Sequence, residues 1–178
     1  MGNIWHDMPS HRVTPERFTA VIEIPKNSKN KYEMDKETGL IRLDRILYTS
    51  THYPANYGFI PLTYADDLDP LDVLVICSEE LLPMTLVECY PIGVIKMSDS
   101  GRFDEKIIAI PFTDPTYNTI ESIFDLPSHI FDEMRHFFKV YKQLEEKETA
   151  VNNLCGREDA ESIIKSAIES YRMKFGEK

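Results

Sequence analysis

Four aspartates fall within seven positions at Asp66-Asp67-Leu68-Asp69-Pro70-Leu71-Asp72, and the apolar run Val73-Leu74-Val75-Ile76-Cys77 follows directly. Like charges held that close repel one another unless something cationic sits among them. Mg²⁺ suits this role, because it takes carboxylate oxygens and keeps several of its waters. The alternative is a solvated acidic turn. Pro70 fixes one φ angle, however, and the adjoining strand gives the loop a rigid base, which favours a metal site. The chemistry that needs several Mg²⁺ ions on bare carboxylates is mostly phosphoryl transfer and phosphoanhydride hydrolysis.

Spacing tests the other readings of this loop. An EF-hand beginning at Asp67 would need an oxygen ligand at 71, glycine at 72 and glutamate at 78, where the chain has Leu71, Asp72 and Ser78. An Asp-x-Asp phosphatase nucleophile at Asp67-Leu68-Asp69 stays open, although that chemistry normally sits on alternating strands and helices.

Three further groups carry polar side chains in suggestive places. Lys31 and Glu33 share one face of a strand-like segment. Arg45 falls on the same face as Ile41, Leu43 and Leu47. It either snorkels from a rim or offers its fork of donors to a phosphate in a cavity. Asp99-Ser100-Gly101-Arg102-Phe103-Asp104-Glu105-Lys106 reads as a turn between strands that adds carboxylates and a lysine. Tyr141 lies on an apolar helical stripe and reads as core, with Lys142 beside it in reach of a site at the stripe's edge.

The elements that must hold these groups change character along the chain. Residues 1–17 are polar, with Pro9 and Pro15, and read as an arm laid over the domain. Strands are expected at 18–24, 73–77, 86–90, 93–97 and 106–112, and a hairpin from 31–35 and 40–47 turns at Thr38-Gly39. Consecutive strands without intervening helices suggest an antiparallel barrel or sandwich. A helix with Ser128 as its N-cap is expected to run to about Glu146, burying Ile130, Met134, Phe137, Tyr141 and Leu144. A second, from about Glu158 to Lys174, carries Ile163, Ile164, Ala167, Ile168 and Tyr171, and the pair should cover one open side of the barrel.

A chain of 178 residues, 42% apolar and 28% charged, suits one α+β domain spanning 1–178. Its net charge of −10 argues against nucleic acid or an anionic membrane as a partner. Cys77, Cys89 and Cys155 match no C-x-x-C spacing, and two of them sit in apolar stretches as small buried hydrophobes of a reducing compartment. The start of the chain has no signal-peptide pattern and no apolar run is long enough for a bilayer, so a soluble, cytoplasmic protein is expected.

At this point the residues resemble a known family. Val21-Ile22-Glu23-Ile24-Pro25, Lys31-Tyr32-Glu33, Asp44-Arg45, Tyr53-Pro54-Ala55-Asn56-Tyr57-Gly58, the acidic loop, Asp99 to Lys106, Phe137-Phe138 and Tyr141-Lys142 follow in the order of the family I soluble inorganic pyrophosphatases. The resemblance implies an OB-like antiparallel β-barrel flanked by two C-terminal helices and Mg²⁺-dependent hydrolysis of pyrophosphate. It implies that Asp67, Asp72 and Asp104 coordinate an activating metal, with Asp72 bridging to a second. Asp99 and Asp104 would hold a substrate-bound Mg²⁺. Lys31, Arg45, Lys106, Tyr141 and Lys142 would grip phosphate oxygens with Tyr57 nearby, Asp69 would orient or deprotonate the attacking water, and Glu23 and Glu33 would line the cavity. Position 68 departs from the pattern, since the family usually has glycine or a small polar residue there. If the backbone needs a positive φ, leucine costs about 1 kcal/mol or more. Members of this length are often hexamers, and His136 resembles a position used at a subunit contact, so a homohexamer is the favoured assembly. Rival readings are a binding module without turnover and a phosphomonoesterase working through an aspartyl-phosphate at Asp67.

Overall fold

The computed structural model describes residues 2–176; Met1 of the expected arm lies outside them. A short helix α1 (Ile4–Asp7) opens the chain, followed by strands β1 (Phe18–Ile24), β2 (Asn30–Met34), β3 (Ile41–Ile46), β4 (Asn56–Ile60), β5 (Leu71–Val75), β6 (Leu86–Asp99) and β7 (Arg102–Pro111). Helix α2 (Ser128–Val140), strand β8 (Thr149–Gly156) and helix α3 (Arg157–Phe175) complete it.

Strands β1, β4, β5, β7 and β6 are hydrogen-bonded in that order, and β6 pairs back onto β1, which closes a five-stranded ring. Closure removes the open edges that a sheet would otherwise expose. The barrel matches the expected OB-like form, flanked by helices, with one difference of detail. The β5–β7 pairing is parallel, Asp72 lying opposite Lys106, so the ring is mixed rather than wholly antiparallel. Strands β2 and β3 form a separate hairpin.

The middles of the ring strands are buried on both faces, and the pleat divides their side chains between two cores. Val73, Val75, Ile107 and Ala109 belong to one core, together with Ala160, Ile164, Ala167 and Ile168 of α3. Leu74, Ile108 and Ile110 belong to the other, with Phe131, Met134, Phe137 and Phe138 of α2. The two helices therefore cover different faces, not one side as their periodicity suggested. Central strands that serve two cores read as continuous apolar runs, which hides the distinction in the sequence.

Several boundaries moved for identifiable reasons. Helix α2 ends at Val140, and a 3₁₀ turn over Gln143–Glu145 follows, leaving Leu144 65% exposed rather than in the core. Pro127, not Ser128, occupies its N-cap position. The segments expected as two strands around Pro91 are one strand of fourteen residues, β6, whose register with β7 shifts at Pro91/Gly93. Proline lacks the N–H for a ladder bond, and the sheet accommodates it by this irregularity. Strand β4 escaped notice because Gly58 interrupts its pattern. That glycine is needed: a Cβ there would lie 1.9 Å from the Val21 carbonyl oxygen. Strand β8 mixes apolar and polar residues, pairs with β6, and carries no alternation long enough to read.

Candidate active site

The acidic loop is shaped by its own backbone. Ala65 N–H donates to the Asp69 carbonyl at 2.8 Å, Leu68 N–H to that of Ala65 at 3.0 Å, and Asp69 N–H to Asp67 Oδ1 at 3.2 Å. This tight turn puts Leu68 at φ +74°, so the condition under which leucine carries a cost there is met. Thr63 anchors the exit: its hydroxyl donates to the Ile60 carbonyl at 2.6 Å and accepts Leu71 N–H at 2.9 Å. Asp72 then falls on β5, where the ladder places it beside Phe59 of β4 and Lys106 of β7.

Three adjacent strands thus build the centre of the site. Lys106 Nζ lies 2.8 Å from Asp72 Oδ2, 2.8 Å from Asp104 Oδ1 and 2.9 Å from Tyr57 Oη. Tyr57 Oη donates in turn to Asp72 Oδ2 at 2.6 Å. Only 2% of the Lys106 side chain is exposed, so these partners are what make its burial tolerable. Burial alone would lower its pKa, yet Asp104 and Asp72 outweigh it and hold the ammonium well above its ordinary value. Tyr57 is pushed upward by burial and then by the Asp72 charge. Behind it the Tyr53 ring packs at 5.3 Å from Tyr57 and 4.7 Å from Phe137, which fixes the phenol's direction.

The β6–β7 hairpin turns through Ser100 and Gly101, both at positive φ as a tight two-residue hairpin requires. It brings Asp99 beside Lys142, which sits just past α2, and the two form an ion pair. On β2, Lys31 Nζ contacts Asp44 Oδ2 at 3.1 Å and Glu33 Oε2 at 3.3 Å, and Arg42 pairs with Glu33. Glu23 turns inward from β1 and accepts Met34 N–H at 2.7 Å. Burial, and after it the Asp72 charge, moves the Glu23 pKa up to about 8.

All these groups meet in a cavity of about 280 Å³, lined by seven carboxylates and four lysines. Of the residues singled out in the sequence, Glu23, Lys31, Glu33, Tyr57, Asp67, Asp69, Asp72, Asp99, Asp104, Lys106 and Lys142 line it. Arg45 and Tyr141 do not. Arg45 points toward Glu145 of the 3₁₀ turn, with Nε 3.0 Å from Oε1, and pairs with Asp44. Its Nη2 is buried with no hydrogen-bond partner among the described residues, so it is neither a solvated rim residue nor, in this conformation, a wall of the cavity. Tyr141 is buried against Phe137, 5.2 Å between ring centroids. A second cavity of about 350 Å³ opens on the other side of Asp67, Asp72 and Asp104, toward the serines of α3. Its one lysine, Lys96, is paired with Asp159 at 2.9 Å, so it lacks the cations an anionic ligand needs.

Lys36, in the turn after β2, also lines the smaller cavity and forms an ion pair with Asp69. Sequence reading missed it because it lies beyond the end of the strand, where alternation no longer assigns a face.

The donor set fits a hard divalent cation. Asp67, Asp72 and Asp104 all border the same cavity, and burial, then the charge of Asp72, raises the Asp67 pKa to about 6. Among the described residues no three acidic, histidine or cysteine side chains already converge as a metal-ligand group. Between Asp72 and Asp104 the Lys106 ammonium supplies the cation.

Comparison with known proteins fits this geometry. The family model described as inorganic pyrophosphatase matches residues 20–172. Soluble inorganic pyrophosphatase 2 of Chlamydomonas reinhardtii is 45% identical over 171 residues, covering 96% of this chain and 89% of that protein. Soluble inorganic pyrophosphatase 1 of Arabidopsis thaliana is 47% identical over 167 residues, 94% of this chain and 79% of the relative. The crystal structure of inorganic pyrophosphatase from Thermus thermophilus superposes with a TM-score of 0.91 at 37% identity, covering 96% of this chain and 99% of the other.

Proposed function

The chain belongs to the inorganic pyrophosphatase family, and we propose that it hydrolyses pyrophosphate to two orthophosphates with Mg²⁺, by direct attack of water. One observation carries the reading: a single cavity joins seven carboxylates to four lysines. Carboxylates alone would repel pyrophosphate, and lysines alone would not need them. Together they suit an anion that arrives with divalent cations. One domain spanning 1–178 holds this site.

Asp67, Asp72 and Asp104 would hold the activating ion, Asp72 would be shared with a second, and Asp99 with Asp104 would hold Mg²⁺ brought by the substrate. When bound, such ions neutralise substrate charge and bring the pKa of a water toward about 7. The rest falls to the protein. Asp69, a half-exposed carboxylate on the cavity wall, orients the attacking water and takes its proton. Lys31, Lys106 and Lys142 surround phosphate oxygens, and their charge matters most as the leaving phosphate gains negative charge. Tyr57 supplies a hydrogen bond and keeps Lys106 and Asp72 in register. Arg45, paired with Asp44 and Glu145 outside the cavity wall, would have to turn away from Glu145 to add its donors to the phosphate contacts. Tyr141 backs Lys142, whose Nζ lies 5.3 Å from its ring centroid. Glu23 and Glu33 act through waters at the cavity wall.

Phosphate release from pyrophosphate, with Mg²⁺ and then with excess chelator, beside ATP and a phosphomonoester, tests the reading. Rapid Mg²⁺-dependent release from pyrophosphate alone is expected. No release at any Mg²⁺ concentration would leave a binding module, and a trapped phospho-enzyme at Asp67 would favour the phosphomonoesterase. Family resemblance adds a cytoplasmic homohexamer to the proposal, checked by sedimentation. No helix among the described residues is long and apolar enough to cross a membrane.

A further inference from the structure

The Asp69 carboxylate is half exposed, and so is Lys36, the lysine that pairs with it. An exposed lysine carries about 2 kcal/mol of rotamer entropy and would not ordinarily hold a partner still. Lys36 differs because the N-terminal segment restrains it twice. Asn3 Nδ2 donates to the Lys36 carbonyl oxygen at 2.8 Å. The Lys36 ammonium also lies 5.4 Å from the centroid of the Trp5 ring, within cation–π range.

Trp5 is itself fixed. It is 5% exposed, its indole N–H donates to the Thr63 carbonyl at 2.9 Å, and its own carbonyl accepts Leu62 N–H at 2.9 Å. The Tyr64 ring stacks on it and the Phe175 ring of α3 meets it edge-on. Thr63 is the residue whose hydroxyl receives Leu71 N–H at the exit of the acidic loop. One frame therefore anchors both members of the ion pair: Trp5 backs Lys36, and Thr63, bonded to Trp5, secures the loop that carries Asp69.

We propose that Lys36 is a positioning residue for hydrolysis: seated on the Trp5 ring, it holds the Asp69 carboxylate in the orientation that serves the attacking water, which makes the N-terminal segment part of the working site. The inference rests on the Asp69 role proposed above. Misplacing a reacting group by about 1 Å can cost about a hundredfold in rate, so a restraint on one flexible carboxylate accounts for an effect near tenfold. An exposed pair adds little stability, so the loss should appear in turnover and not in the denaturation midpoint.

Steady-state kinetics at saturating Mg²⁺ on Lys36→Ala, Lys36→Arg, Asp69→Asn and the Lys36→Ala/Asp69→Asn double variant test this. Lys36→Ala should lower kcat about tenfold, with KM for Mg²⁺-pyrophosphate changed by less than about twofold, and Lys36→Arg should recover most of the loss. In the Asp69→Asn background, Lys36→Ala should change kcat by less than about twofold, since the group it positions is gone. Trp5→Leu should lower kcat in the same direction. Parental kcat in Lys36→Ala, a raised KM with kcat intact, or the full loss persisting beside Asp69→Asn would each overturn the proposal, the last two because they mean Lys36 touches substrate. If Asp69→Asn is slow while Lys36→Ala is parental, this inference alone fails. If Asp69→Asn turns over at the parental rate, the Asp69 assignment falls and takes the inference with it.

Discussion

Lys106 Nζ and Asp72 Oδ2 stand 2.8 Å apart on neighbouring parallel strands, and the lysine is almost wholly buried. A buried ion pair is expensive to break, because removing one partner strands the other charge. Lys106→Met should therefore destabilise the metal-free protein by about 3 kcal/mol or more, read from denaturant unfolding in chelator. Mg²⁺ should restore part of that loss by supplying a cation to Asp72 and Asp104. An unchanged unfolding midpoint would mean that these aspartates are not held by Lys106.

Asp69 and Asp72 lie three residues apart and should fail differently. Asp69→Asn should lower turnover about a hundredfold or more while the Mg²⁺ dependence stays near parental, in line with the loss of a general base. Asp72→Ala should instead raise the Mg²⁺ concentration needed for activity if it removes the ligand proposed to be shared between two ions. A Mg²⁺ titration of each variant separates the two roles, and coincident curves would defeat the assignment.

Arg45 keeps Nη2 buried with no hydrogen-bond partner among the described residues, while its Nε faces Glu145. Hydrogen bonds to charged groups are worth about 1.5–3 kcal/mol, so Arg45→Ala should raise KM for Mg²⁺-pyrophosphate about tenfold or more. Unaltered kinetics would leave Arg45 as a partner of Asp44 and Glu145 alone.

Leu68 holds φ +74° with its side chain 56% exposed. Left-handed backbone costs a non-glycine residue about 1–2 kcal/mol, whereas glycine pays through the entropy of the unfolded chain. Leu68→Gly should therefore stabilise the protein by about 0.5 kcal/mol, seen as a higher midpoint in denaturant. A lower midpoint would show that the Leu68 side chain contributes more packing than its exposure suggests.

The acidic loop was legible because its chemistry is local: four carboxylates and a proline within seven residues demand cations wherever they fold. The barrel strands were legible for the same reason, since apolar runs of five to seven residues leave few alternatives. Strand β4 was lost to Gly58, whose purpose is a backbone approach from Val21 that lies thirty-seven positions away in the chain. Strand β8 was lost because its pairing with β6, not its own alternation, makes it a strand.

Family order brought the remaining site residues into view, while their relation to one another waited for the fold. The parallel ladder of β5 and β7 alone sets Lys106 between Asp72 and Asp104. The break after Val140 turns Leu144 outward and aims Glu145 at Arg45. The packing of Trp5 into the core brings the N-terminal segment to Lys36 and so to Asp69. Residue types and local spacing point to phosphoryl chemistry with divalent cations, and the family resemblance narrows that to pyrophosphate. Which charge neighbours which is decided by contacts between residues distant in sequence, and such contacts leave no period in the sequence from which to read them.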